Sequence, residues 1–276
     1  MISRLILSDV DGTLLDDRAA PPSGWERFVA SLEPTDLFTL ASSRTTTELL
    51  AVQASLGVHG PLIAENGSMV VLGMDWPGVL AGRMEQVNGD LVRVVALGSR
   101  RTPVLAMMRE VAAVCNLEIA LTQDRSLDVG PHEGRGRLTV LDDAATRQRS
   151  VLVQVSATRR QRELLHSTLA GSALSMVPGG RWQVVQCGSH KGIAASVLRN
   201  MLHAQRCRPQ VIAVGDHAND RPMLEMADVR IAVRRPDGSV HPSLVGIPNL
   251  QVPEGRGPDA WEEIATLLGA LEVYHA

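Results

Sequence analysis

Lysine is almost missing from this chain: of the 27 basic residues among 276, all but Lys191 are arginine. A chain that otherwise uses guanidinium groups has kept one ammonium, and the two are not interchangeable where a compact point charge is needed. Cysteine is scarce as well. Cys115, Cys187 and Cys207 are scattered, odd in number and form no CxxC pair. That pattern excludes a disulfide scaffold and fits a reducing cytoplasm, which is the expected location. Long apolar runs are absent, none approaching the roughly 20 residues of a membrane span. The first residues enter a strand directly, with no basic segment, apolar stretch and cleavage site before it, so no secretory leader is expected. Excess positive charge is also lacking: the net charge of −3 argues against nucleic acid or an anionic membrane as partner. The densest basic clusters, Arg159-Arg160-x-Arg162 and Arg234-Arg235, read as solvated faces, and Gly134-Arg135-Gly136-Arg137 reads as a polar loop.

What is present begins almost at the first residue. The apolar run Leu5–Ser8 reads as a buried strand that delivers Asp9 and Asp11 and then Gly12-Thr13. Residues i and i+2 of an extended segment share a side, so both carboxylates can face one small volume. Two carboxylates that close repel unless a cation or a shared proton relieves them. Core packing does not ask for this arrangement, whereas a metal-assisted carboxylate nucleophile does.

Strand and helix signals alternate through the first part of the chain. Strands are expected at 5–8, 37–41, 61–64 and 68–72, the last two joined at the hairpin signal Asn66-Gly67. Helices are expected over 24–32, capped by Ser23, and over 45–56, ending near Gly57. The rhythm pauses from about residue 74 to 188. There a helix over 103–116 precedes a Gly/Arg/Asp-rich stretch at 124–136, then strand 151–156, helix 158–169 and short strands at 173–177 and 182–186. It resumes with helix 191–206, strand 211–214, helix 221–227, strand 229–233 and helix 258–271. The expected fold is α/β: a doubly wound, Rossmann-like parallel-sheet core formed by residues 1–78 and 189–276, with an α+β domain inserted at 79–188.

Ligands of an open parallel sheet sit at the carboxyl ends of its strands. Those ends carry Asp9 and Asp11, then Ser42, Ser43 and Arg44, then Glu65 and Asn66, and finally Gly215-Asp216-His217-Ala218-Asn219-Asp220. Lys191 stands where the insertion returns to the core. Hard carboxylate oxygens suit Mg²⁺. Hydroxyls, a helix N-terminus and one ammonium suit a phosphate. Clustered His or Cys, which zinc would favour, are absent.

Taken in order, Asp9-Val10-Asp11-Gly12-Thr13, Ser42, Lys191 and Gly215-Asp216-His217-Ala218-Asn219-Asp220 resemble the four motifs of the haloacid dehalogenase-like phosphohydrolases. The insertion looks like the larger, type 2 cap of their sugar-phosphatase branch. Within that branch the likeness is greatest to the mannosyl-3-phosphoglycerate phosphatases, through Glu65-Asn66-Gly67, Asp75-Trp76-Pro77, Pro178-Gly179-Gly180-Arg181-Trp182 and Asn219-Asp220-Arg221-Pro222-Met223-Leu224. The chain departs from them at Arg44, where a lysine is usual, and at Arg147-Gln148-Arg149-Ser150-Val151, which replaces an acidic, aromatic-containing segment of the cap.

The resemblance implies a Mg²⁺-dependent phosphomonoesterase acting on a small phosphorylated metabolite, a phosphorylated sugar or a glycosyl-3-phosphoglycerate. Asp9 would be the nucleophile of an aspartyl-phosphate intermediate and Asp11 the general acid and base. Asp9, the backbone carbonyl of Asp11, and Asp216 would bind the metal. Ser42, Ser43, Arg44, Lys191 and Asn219 would hold phosphate, with Asp220 in support. On the cap, Gly180 and Arg181 would receive a second anionic group of the substrate, and closure of the cap would exclude water. The alternatives are a broad-specificity sugar-phosphate phosphatase, and phosphotransfer or mutase activity through the same intermediate; a silent binding protein that keeps the fold is disfavoured because Asp9, Asp11 and Asp216 are all present. The sequence leaves open whether the chain is a monomer or a dimer.

Overall fold

The computed structural model describes residues 2–16, 21–22, 24–74, 76, 82–87, 89–129, 136–143, 146–179 and 182–272. The chain divides into two compact units, Met1–Val95 with His190–Ala276, and Ala96–Ser189.

The first unit is built on a nine-stranded sheet. Its strands are β1 (Arg4–Ser8), β2 (Asp36–Ala41), β3 (Leu62–Ala64), β4 (Met69–Leu72), β5 (Arg83–Val87), β6 (Asp90–Ala96), β12 (Gln210–Gly215), β13 (Val229–Ala232) and β14 (Leu250–Gln251). The order across the sheet is β14-β13-β12-β1-β2-β3-β4-β6-β5. Pairing is parallel from β14 to β3, then antiparallel at β3–β4 and β5–β6. β1 lies in register with β2 on one side and β12 on the other, Leu7 opposite both Thr39 and Ala213. The chain runs from β1 towards β2 and later returns on the other flank, so β1 and β12 bound the topological switch point, where such sheets open a crevice at their carboxyl ends. Burial of every residue of β1 explains the apolar Leu5-Ile6-Leu7 at its centre.

Helices α1 (Trp25–Ala30), α2 (Thr46–Leu56), α5 (Lys191–Ala204), α6 (Arg221–Met226) and α7 (Trp261–Glu272) complete this unit. α2 starts in a full capping box, Thr45 with Glu48, and ends on left-handed Gly57. Ser23, the expected cap of α1, lies outside the described residues. The chain has few aromatic residues and concentrates them here. Trp25, Phe28, Phe38 and Trp261 meet with ring centroids 4.8–6.0 Å apart, mostly edge to face. The indole of Trp261 also donates to the carbonyl of Thr13 at 3.0 Å, tying this cluster to the loop after β1.

The second unit carries α3 (Arg101–Val114), β7 (Glu118–Thr122), β8 (Arg137–Leu141), β9 (Val151–Ser156), α4 (Arg159–Ala170), β10 (Leu174–Gly179) and β11 (Trp182–Cys187), with sheet order β10-β11-β9-β8-β7. Alternate strand residues such as Leu138, Val140, Val153 and Val185 pack with Val104, Met108, Leu165 and Leu169 of the two helices. The opposite side holds a smaller cluster of Leu141, Leu152, Trp182 and Val184. This is a two-layer α+β arrangement. Among the described residues, no helix is long and apolar enough to cross a membrane.

The structure differs from expectation in several places, among them the short edge strand β14, which was not expected. The expected boundary at residue 78/79 moves, because the hairpin β5–β6 extends the first unit's sheet beyond β4 and buries Val92 and Val94 in its core. β7 and β8 were not expected. Both are short, and Arg137, read as part of a loop, opens β8 beside buried Gly136. Arg234 and Arg235 are not a free solvated face either. Their guanidinium groups bond Pro253, Gly238 and Ser239 and pin the loop that follows β13.

Candidate active site

The ends of β1 and β12 and the first residue of α5 converge on one buried cluster of charge. The N–H of Asp9 donates to the carbonyl of Val214 at 2.9 Å, prolonging the β1–β12 ladder by one residue and fixing where the side chain begins. Lys191 is fully buried. Its ammonium donates to Asp9 Oδ1 at 2.5 Å and to Asp220 Oδ1 at 2.6 Å. Asp220 Oδ2 accepts from the backbone N–H groups of Asp216 and His217, at 3.1 and 3.0 Å. Thr13 donates its hydroxyl to Asp216 Oδ1 at 3.0 Å. Gly12, with φ +86°, permits that approach, since a Cβ there would lie 2.8 Å from Asp216 Oδ2.

Carboxylate oxygens of Asp9, Asp216 and Asp220 fall within 4.8 Å of one another. Burial, the Asp220 charge and, more weakly, Asp216 raise Asp9 well above the ordinary carboxylate range, although Lys191 opposes them. Burial and Asp220 push Asp216 up to about 6, against the hydrogen bond from Thr13 and the charge of Lys191. Burial alone would lower Lys191, but Asp220 and Asp9 outweigh it and push the ammonium well above its ordinary value. Three carboxylates thus share one cation. Buried charge of one sign is costly unless compensated, and hard oxygen donors in excess of their counter-charge are the donor set a Mg²⁺ ion takes. Both oxygens of Asp220 are already committed, so Asp9 and Asp216 are the carboxylates with capacity left for a metal, and Asp220 holds Lys191 in place. The residues fit the ion.

A second group of residues follows β2 and β3. The N–H of Ser42 donates to the Ile63 carbonyl at 2.9 Å, and the Ser42 carbonyl accepts from Asn66 at 2.8 Å. Ser42 Oγ accepts from the N–H of Arg44 at 3.2 Å, which leaves its hydroxyl hydrogen for a ligand. Ser43 lies half-buried between them. Glu65, Asn66 and Gly67 are successive residues with positive φ, and all three are buried. Gly67 has to be glycine, because a Cβ would run into the backbone of His190 at the start of α5. Asn219 donates its amide to Asn66 Oδ1 at 3.2 Å, joining this group to the loop after β12.

Asp11 differs from Asp9. Its side chain is half exposed, and it accepts two hydrogen bonds from Arg44, Nε to Oδ2 at 3.1 Å and Nη2 to Oδ1 at 2.6 Å. Partial burial alone would lower Arg44, but the Asp11 carboxylate outweighs it and raises the guanidinium above its ordinary value. Gly180 and Arg181 lie outside the described residues. The sequence reading did not single out Thr13 or Asn66 for these contacts. Each sits inside a motif it had read, so the signal was present, but their partners are far away in the chain.

The chain matches the family described as haloacid dehalogenase-like hydrolase over residues 6–78 and 149–241, more than half its length. It is 24% identical over 279 aligned positions to the glucosyl-3-phosphoglycerate/mannosyl-3-phosphoglycerate phosphatase of Methanococcoides burtonii, covering 97% of this chain and 98% of that one. Its fold resembles that of a haloalkanoate-superfamily phosphatase from Bacteroides thetaiotaomicron, with TM-score 0.64, 17% identity and coverage of 99% and 96% of the two chains. It also resembles the sucrose-phosphatase of Synechocystis, solved with sucrose and phosphate, with TM-score 0.57, 14% identity and coverage of 96% and 98%. A family match over both flanks of the insertion, together with its motif residues meeting at the switch point of one sheet, makes this chain a member of the haloacid dehalogenase-like hydrolases.

Proposed function

We propose that this protein is a Mg²⁺-dependent phosphomonoester hydrolase that works through an aspartyl-phosphate on a phosphorylated sugar or a glycosyl-3-phosphoglycerate. The observation that carries the reading is the buried Lys191 ammonium held between Asp9 and Asp220, beside Asp216. Mg²⁺ would be held by the Asp9 and Asp216 carboxylates and the backbone carbonyl of Asp11. When bound, it would screen the nucleophile from phosphate and stabilise charge on the phosphoryl oxygens.

An Asp9 oxygen attacks phosphorus, and the bond to the ester oxygen breaks. The electron pair leaves with the alkoxide, which takes a proton from the carboxyl group of Asp11. In the second half, Asp11 accepts a proton from water as that water attacks the aspartyl-phosphate, releasing inorganic phosphate and restoring Asp9. The Ser42 hydroxyl and the Lys191 ammonium receive phosphoryl oxygens, helped by Asn219. Asp220 holds Lys191.

The named activity of the Methanococcoides relative supports a glycosyl-3-phosphoglycerate as substrate. We assign substrate choice to the inserted unit, residues Ala96–Ser189, as a cap. Three unpaired cysteines fit a cytoplasmic site of action.

Phosphate release from a panel of mannosyl- and glucosyl-3-phosphoglycerate and simple hexose phosphates tests the proposal. Mg²⁺-dependent turnover that favours the phosphoglycerates supports it. Comparable slow rates on every compound count against the named substrate, and Mg²⁺-independent turnover counts against the mechanism.

A further inference from the structure

The backbone of Arg44 is held on both sides: its N–H donates to Ser42 Oγ at 3.2 Å, and its carbonyl accepts from Glu65 at 2.8 Å. Thr45, the next residue, caps α2. A long side chain thus starts from a fixed point and spends one edge of its guanidinium, Nε and Nη2, on the two oxygens of Asp11. Among the described residues, Asp11 has no other side-chain partner, and Arg44 Nη1 has none at all. Asp11 pairs with Leu15 across the turn after β1, and its side chain is half exposed. A guanidinium presents five N–H donors in a rigid plane, so it can grip a carboxyl group along one edge and a phosphoryl oxygen with the rest. A lysine ammonium has no such edge.

We infer that Arg44 is a positioning residue for proton transfer: it sets the plane of the Asp11 carboxyl group relative to the bound phosphate. The inference rests on the hydrolase reading above and moves the main task of Arg44 from phosphate binding to Asp11. As Asp11 gives its proton to the leaving oxygen, negative charge grows on its carboxyl group, and the two Arg44 hydrogen bonds strengthen at that moment. Stabilisation that grows along the reaction accelerates it.

Leaving groups of different basicity separate the two tasks. The p-nitrophenolate ion departs without a proton, whereas a sugar alkoxide needs one. In the full chain with Mg²⁺, Arg44→Lys is expected to lower kcat/KM for the best alkyl phosphate of the panel by about 10–100-fold, part of the roughly 10²–10⁴-fold that a positioned general acid contributes. For p-nitrophenyl phosphate the same variant should lower kcat/KM by much less, the loss reporting only any contact of Arg44 with the phosphoryl group, since that ester draws little on the acid. Arg44→Gln should show the same selectivity, and in an Asp11→Asn background the selectivity should vanish. Equal losses on both esters would make Arg44 a phosphate ligand only and overturn the inference, as would unchanged rates on both. A wild-type protein inert towards both esters would instead overturn the hydrolase reading itself. Thermal unfolding of each variant checks that the fold is kept.

Discussion

Asp9 and Asp11, two residues apart, occupy opposite environments. Asp9 is buried in a dense network with Lys191, Asp220, Asp216 and Thr13. Asp11 is half exposed, with one Arg partner. The buried network is dear to build and rigid: each member depends on the next, and removing one leaves charge uncompensated. The exposed pair is cheap, screened and able to move. The proposed nucleophile has the first kind of site, which suits a group whose aim must not vary. A proton shuttle, which handles a leaving alcohol and then a water, suits the second.

The sharpest way to break this contrast is at Asp9, the proposed nucleophile. Asp9→Asn keeps shape and should lower Mg²⁺-dependent phosphate release on the order of 10⁴-fold or more, as loss of a covalent catalyst does, while circular dichroism stays native. Substantial residual turnover would sink Asp9 as nucleophile.

Next comes Lys191. Lys191→Met leaves buried carboxylates without their cation and should cost about 3–5 kcal/mol of stability in denaturant titration, besides activity. Arg44→Lys, at the exposed pair, should cost under about 1 kcal/mol by the same titration. Similar stability losses at the two positions would erase the distinction.

The third test uses pH. Asp216 is raised from its ordinary value near 3.8 to about 6, so between those limits the folded protein binds more protons than the unfolded chain. Its contribution to stability is therefore present at low pH and is lost as pH rises through about 6. Mg²⁺ needs the ionised carboxylates, so its stabilising effect should be small near pH 5 and full above about 7. Melting curves with Mg²⁺ and with EDTA across that range check the sign. A Mg²⁺ shift independent of pH would argue against Asp216 as a ligand.

The smallest effect is expected at Thr13→Val. It removes a hydrogen bond worth about 1 kcal/mol and a contact that holds Asp216 down. The pH at which Mg²⁺ stabilisation sets in should therefore move up, with the Arg44–Asp11 pair untouched.

Much of this was legible beforehand. The strand-ending carboxylates, the lone lysine and the four ordered motifs named the residues, because strand and helix periodicity is local and the carboxyl ends of parallel strands collect ligands by topology. The helices expected over 45–56 and 158–169 are present, and Thr45 and Thr158 prove to be their capping residues. What escaped was non-local. β7 and β8 are short and pair with each other across the stretch expected to be loop, and the β5–β6 hairpin joined a sheet edge instead of the insertion. Arg44 read as a phosphate ligand because it follows Ser42 and Ser43. Only folding brings it to Asp11, 33 positions earlier.

The sequence by itself determined the chemical inventory: which carboxylates, hydroxyls and single ammonium stand at strand ends, and in what order. Residue type and period-2 or period-3.6 patterning are properties of neighbours in the chain. The tertiary structure decided how those groups share charge. Coulomb interactions and burial depend on distances between segments that only the sheet order brings together. That is why Lys191 lies between Asp9 and Asp220, why Asp216 is raised, and why Asp11, two residues from Asp9, is held by an arginine in the open.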